Sequence, residues 1–351
     1  MVLYKKIIIL AFACSLAACS QQEPKGKIVL SPEAAFDSLI AYIEQTGDFI
    51  NSPNVPAMIS AAEVYNLLDS NILVIDTRNA DEFSAAHIAN SMNIPFAQLL
   101  NFIETKIDPN GFSKIIIVCN AGQTASYATS LLRLLGYNNV YALRFGFCSW
   151  HKPSAEIRWL ARLSSKYSEM LELSTNIKNK YGIFPIIETE KGSGYEILRE
   201  RVQLLFSQDF NSVTISADSL FDPNHKFYII NYWPEDIYSK GHIPGAIQYT
   251  PRESLKRSQQ LNTLPTDRPI AVYCFNGQHS SFVTAYLRLL GYDARTLPYG
   301  TNGFMYGKMQ KEGIGNIFTE NDVLDLPVVS GGFSEKPKDA VKVEVKPRGG
   351  C

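Results

Sequence analysis

The chain has 351 residues, long enough for two ordinary domains, and its 46% hydrophobic and 19% charged content is that of a globular protein. A formal net charge of −1 argues against a strongly basic partner surface, so nucleic acid is not an expected ligand. Six cysteines, at positions 14, 19, 119, 148, 274 and 351, show neither metal-ligand spacing nor the density of a disulfide framework. No metal site and no cofactor is expected.

Residues 1–19 read as a targeting segment. Lys5 and Lys6 precede an apolar run from Ile7 to Ala13 that is too short to span a bilayer. It ends in Leu16-Ala17-Ala18-Cys19, which resembles the lipobox of a bacterial lipoprotein signal peptide. That resemblance implies cleavage before Cys19 and lipidation of its sulfur and new amino group. The protein would then be held by its acyl chains at a membrane of the bacterial cell envelope, on a periplasmic or surface face. An ordinary cleaved signal is the alternative. Residues 20–57 read as a polar tether and a helix, with Ser31 as N-cap, Pro32 at the first position and Phe36, Leu39, Ile40 and Ile43 as the apolar face.

One fold is then written twice. Cys119 and Cys274 stand 155 positions apart, and the same offset carries His87 onto His242 and Leu134-Leu135-Gly136-Tyr137 onto Leu289-Leu290-Gly291-Tyr292. In the first repeat, 58–151, Ser60-Ala61-Ala62-Glu63 is a capping-box start to a helix, and strand 73–75 runs to Asp76. Strand 115–118 runs to Cys119, and a helix over about 125–135 stops at Gly136. The second repeat, 213–312, has the same order: a helix start at Ser216, strand 228–230 to Asn231, strand 270–273 to Cys274 and a helix stopping at Gly291. Continuous apolar strands alternating with helices predict an α/β fold, two domains each with a small parallel sheet flanked by helices. The linker, 152–212, is expected to be helical, with stripes at Ile157, Leu160, Leu163, Tyr167, Met170 and at Tyr195, Leu198, Val202, Leu205. It packs the repeats together or serves as a partner-binding arm; no protein partner is identified. The C-terminal segment, 313–351, turns after Gly331 to Lys, Pro, Val and Glu without helical period and is expected to be disordered.

Each cysteine ends a buried strand and opens a loop into a helix: Cys119-Asn120-Ala121-Gly122-Gln123-Thr124 and Cys274-Phe275-Asn276-Gly277-Gln278-His279. Open α/β sheets bind ligands at the carboxyl ends of their strands, and a helix N-terminus favours an anion. Successive loop amides can curl round the sulfur and favour thiolate, the form that attacks. Two buried, inert cysteines are the alternative.

With these residues the chain resembles the rhodanese (sulfurtransferase) family. The likeness spans about 95 residues per repeat. Its carriers are Val74-Ile75-Asp76-Thr77-Arg78, Glu82-Phe83 and His87-Ile88 in the first repeat and Gly241-His242-Ile243-Pro244-Gly245-Ala246-Ile247 in the second, with the cysteine loops and Leu-Arg-Leu-Leu-Gly-Tyr in both. The resemblance implies that Cys119, Cys274 or both take the outer sulfur of a donor such as thiosulfate as a persulfide and pass it to a thiol or cyanide. Residues 120–124 and 275–279 would hold the donor, Asp76 and Arg78 would order the surroundings, and the two histidines would be structural.

The chain departs from the family pattern in its charges. Family loops that handle thiosulfate commonly carry Arg or Lys beside the cysteine; the first loop here has no cation and the second only His279, expected to titrate near neutrality. Asn231-Tyr232-Trp233 replaces Asp76-Thr77-Arg78. These departures motivate a second reading, a non-catalytic binding or sulfur-carrier module. Phosphatase chemistry is disfavoured, because it needs a wider loop and an arginine. Cys148, in the loop after the first repeat's last strand, is either a resolving thiol for Cys119 or a plain loop residue.

Overall fold

The computed structural model describes residues 29–332. Cys19 and its signal-like run, Cys351 and all but the start of the lysine-rich tail lie outside the described residues. Among the described residues no helix is long and apolar enough to cross a membrane.

Helix α1 (Pro32–Gln45) starts where Ser31 accepts a hydrogen bond from the Ala34 N–H, and it buries Phe36, Leu39, Ile40 and Ile43. The first copy follows as β1 (Met58–Ile59), α2 (Ala61–Leu67), β2 (Ile72–Asp76), α3 (Ala80–Ala85), β3 (Ser91–Asn93), α4 (Leu99–Thr105), β4 (Lys114–Val118), α5 (Gln123–Leu134) and β5 (Val140–Leu143). The capping box at Ser60 and Glu63 is formed from both sides. The sheet is parallel, in the order β1-β5-β4-β2-β3.

The linker holds α6 (Lys152–Ile157) and α7 (Gly194–Phe206). The second copy runs α8 (Ala217–Phe221), β6 (Tyr228–Asn231), α9 (Glu235–Tyr238), β7 (Ile247–Gln248), β8 (Ile270–Tyr273), α10 (Gln278–Leu289), β9 (Ala294–Thr296) and α11 (Tyr306–Glu312). Its sheet, β7-β6-β8-β9, repeats the order of the first. The counterpart of β1 shrinks to a single parallel bridge, Thr214 to Thr296.

The linker departs from the helical expectation between 158 and 192. Only short 3-10 turns form there; Ile157, at the end of α6, and Met170 are exposed. The cause is backbone pairing with the second copy. Ser164 and Tyr167 donate to the carbonyls of Asn302 and Phe304, and Glu172 exchanges both backbone bonds with His242. Backbone groups bonded outward in this way cannot also close helical rings. The apolar side chains go to separate clusters instead: Leu160 and Leu163 join Trp159, and Tyr167 stacks on Phe221 at 4.0 Å.

The two copies share one core. Helices α5 and α10 pack on each other, flanked by α1 and α7, and one apolar cluster joins Leu131, Leu132, Phe282, Val283, Ile40 and Val202. Where the first copy has α4, the second has an irregular segment over 250–264, pinned by buried tyrosines. Tyr286 donates to Leu255 O and Tyr292 to Leu261 O, each at 3.2 Å. Tyr249 bonds both Tyr228 and Thr263, and Tyr232 accepts the Arg252 N–H.

Candidate active site

Both cysteine loops turn on a left-handed glycine. Gly122 has φ +97° and Gly277 φ +79°, directly before α5 and α10. Helix α5 begins about two residues earlier than the sequence suggests, because in both copies the glycine starts the helix at the following glutamine. The turn brings amides onto the sulfur: Cys119 Sγ accepts from Gly122 N–H at 3.2 Å and Ala125 N–H at 3.3 Å, and Cys274 Sγ from Ser280 N–H at 3.3 Å. Burial pushes the Cys119 thiol up, and the Asp76 charge adds to this; the amides of Ala125, Gly122 and Ala121 pull it down. The net direction is upward. The nest is therefore present, but in the resting protein it does not by itself give a low-pKa thiolate.

A second loop buttresses each cysteine loop. Phe147 N–H donates to Cys119 O and Cys148 N–H to Asn120 O; in the second copy Thr301 donates to Cys274 O and Asn302 to Phe275 O. Gly146 and Gly300 make this approach possible: a Cβ there would lie 2.4 Å from Cys119 O and 2.2 Å from Cys274 O.

Asp76 and Arg78 form a buried ion pair, Nη2 to Oδ2 at 2.6 Å. The guanidinium also donates to Ala86 O and lies 3.6 Å over the Phe147 ring, so the pair braces the buttress loop behind Cys119. In the second copy Asn231 donates to Tyr273 OH, a neutral replacement. His87 and His242 are both buried; each sets Nδ1 on the carbonyl four residues back and stacks on the preceding aromatic ring, Phe83 or Tyr238.

The two mouths differ. In the first, Asn120 and Thr124 are partly exposed, and Asn120 donates to Glu82, which pairs with Arg158. Trp159 donates to Ala121 O and stacks on Phe318. In the second, all of Phe275, Asn276, Gly277, Gln278 and His279 are buried, with Phe275 stacked on Trp233 and pressed against Gly315. Residues 275–279 therefore offer a donor little surface, with Phe275 only 5% exposed and the rest buried.

His279 needs a correction. Burial, with the Arg252 charge adding to it, lowers its pKa to about 3, so it is neutral at physiological pH and offers no charge to a donor. Gln123 and Gln278 do not face a donor either. Gln123 Nε2 donates to Asn276 O, and Gln278 reaches back into the first loop. Cys148 is buried and donates to Ser154 O at 3.4 Å, and burial pushes it up to about 12, a poor state for a resolving thiol. Among the described residues Cys119, Cys148 and Cys274 form no disulfide.

Sequence reasoning missed Arg158, Trp159 and Phe318. The first two sit in a linker whose apolar spacing imitated a helix. Phe318 lies far along the chain with no local pattern pointing to Cys119.

A parallel α/β domain with a cysteine at a strand end, cradled by the amides of the next helix and present twice, defines a class of fold built to present a cysteine at the carboxyl end of its sheet. The model of the rhodanese-like domain matches residues 60–153 and 217–306, together just over half the chain, and the chain belongs to that family. Thiosulfate sulfurtransferase GlpE of Pseudoalteromonas translucida is 32% identical over 100 residues, covering 28% of this chain and 91% of that protein. The tRNA uridine(34) hydroxylase of Teredinibacter turnerae is 26% identical over 142 residues, 36% of this chain and 42% of the relative. The chain thus spans about two fifths of that hydroxylase's length. Among solved structures, a rhodanese-related protein from Thermoplasma volcanium aligns at 29% identity and TM-score 0.24 over 26% of this chain and 88% of that one. Thiosulfate sulfurtransferase from Pseudomonas aeruginosa aligns at 18% identity and TM-score 0.25 over 87% and 70%.

Proposed function

We propose that the protein is a sulfurtransferase whose working cysteine is Cys119, with Cys274 a buried structural counterpart. The observation that carries this reading is the difference between the loops. Cys119 lies in a two-amide cradle beside partly exposed Asn120 and Thr124; Cys274 is fully buried in a loop whose residues 275–279 are all buried.

The Cys119 thiolate attacks the outer sulfur of a donor, forming Cys119–S–S⁻ and releasing the donor's remainder with its electron pair. The amides of Gly122 and Ala125, at the N-terminus of α5, stabilise the added charge. An acceptor thiolate or cyanide then attacks the outer sulfur, and Cys119 leaves as thiolate. The cation at the mouth, Arg158, is already paired with Glu82, which favours a donor of low charge, such as a thiol-bound persulfide, over doubly charged thiosulfate. The Leu16–Cys19 run supports a lipid-anchored position in the cell envelope; incorporation of a labelled fatty acid, lost in Cys19→Ser, tests it.

The test of the activity is intact-protein mass spectrometry of the reduced protein after exposure to thiosulfate or a glutathione persulfide. Wild type and Cys274→Ser should gain one sulfur atom and Cys119→Ser none. No gain with any donor would favour the non-catalytic reading, and gain in wild type and Cys119→Ser but not in Cys274→Ser would assign the chemistry to Cys274.

A further inference from the structure

Gln278 opens α10 in the second copy, yet all four hydrogen bonds of its carboxamide go to the first. Its Oε1 accepts from Phe145 N–H at 2.8 Å. Its Nε2 faces Gly122 O at 3.3 Å, Ser126 Oγ at 3.2 Å and Leu143 O at 3.4 Å. The side chain is fully buried. A Cβ on Gly122 would lie 2.5 Å from Nε2, so the glycine makes room for this carboxamide as well as supplying the turn.

The groups it holds are those that build the cradle. Gly122 carries the N–H that reaches Cys119 Sγ, and Ser126 belongs to the first turn of α5, next to the second donor, Ala125. Phe145, left-handed at φ 60°, precedes Gly146, which packs on Cys119 O. Gln123, the counterpart in the first copy, makes one bond in return, to Asn276 O. The exchange is unequal.

We infer that Gln278 is a positioning residue for the Cys119 site: it fixes Gly122, the least restrained residue of the loop, so that its N–H stays aimed at the sulfur. The second copy thereby completes the sulfur cradle of the first. The inference rests on Cys119 being the working cysteine, but its test does not require sulfur transfer.

The experiment is the pH dependence of Cys119 alkylation by iodoacetamide, read by peptide mass spectrometry on the reduced full-length protein. The titratable groups facing Cys119 are Asp76, at the end of β2, and Cys148 and Tyr299, in the loops after β5 and β9; all are retained in every variant. Gln278→Met keeps the volume and removes all four bonds. Its inflection should move up by about one pH unit, roughly a tenfold slower reaction at a fixed pH below it. Ser130→Ala removes another bond between the same helices, Ser130 Oγ to Phe282 O at 2.9 Å, and should leave the inflection in place. If Gln278→Met does not fold, Gln278→Asn, too short to span Phe145 and Gly122 together, gives the same reading. An unmoved or lowered inflection, or an equal shift in Ser130→Ala, overturns the inference. A wild type that accepts no sulfur while Gln278→Met still shifts upward refutes the proposed activity and leaves the positioning role standing.

Discussion

An imidazole buried on every side stays neutral over the physiological range, and for His279 this has a stability consequence. Its folded pKa, about 3, lies below the ordinary 6.5, so between those values the unfolded chain binds the extra proton. Stability is fully present above about pH 6.5 and falls as pH drops toward 3. Thermal melts at pH 7 and pH 4 should show a smaller loss of Tm for His279→Phe than for wild type; His151 and His242, shifted in the same direction by burial, retain part of the slope. Arg78→Ala would strand the Asp76 carboxylate in the interior and should cost about 3–5 kcal/mol in denaturant unfolding. Asp76, Arg78 and the two histidines drew notice only through the family resemblance; in the structure their side-chain partners lie within a few positions. The roles of the two glutamines were not legible: their partners sit in the other repeat, and loop position alone suggested a ligand.

At the level of elements, the central strands β2, β4, β6 and β8, the helix starts at Ser31, Ser60 and Ser216 and the glycine stops followed from local rules of burial and capping. The linker did not, because its backbone bonds went to loops of the second copy and periodicity carries no trace of that competition. The segment after α11 shows the same limit. It crosses from the second copy to the first, setting Phe318 on Trp159 at 4.7 Å and on Phe145 at 4.9 Å, then donating from Leu324 and Leu326 to Ser149 and Trp150. Phe318→Ala should cost about 3–5 kcal/mol and should speed alkylation of Cys119, because Trp159, which caps Ala121, loses its support. Gly146→Ala combines a left-handed φ of +62° with a clash on Cys119 O. It should destabilise by at least about 1–3 kcal/mol in urea melts, whereas Gly313→Ala, with open space around it, should cost only the backbone strain.

For the whole molecule, the duplication predicted two like sheets; how they meet was not legible, since both copies carry the same apolar helix face. The meeting of α5 and α10 in one core makes the copies one cooperative unit. Calorimetry should give a single transition with matching van't Hoff and calorimetric enthalpies; two resolved transitions would refute the shared core. The tyrosines that pin 250–264 extend this to the alkaline side. Burial raises the pKa of Tyr228, Tyr232, Tyr249, Tyr286 and Tyr292, so their hydroxyls keep their protons while the fold persists. Above about pH 10 the unfolded chain releases those protons and the folded one does not, so stability falls as pH rises. The ultraviolet absorbance of tyrosinate therefore becomes a built-in optical gauge of this protein: a gradual rise from its exposed tyrosines, then a step when the interior opens.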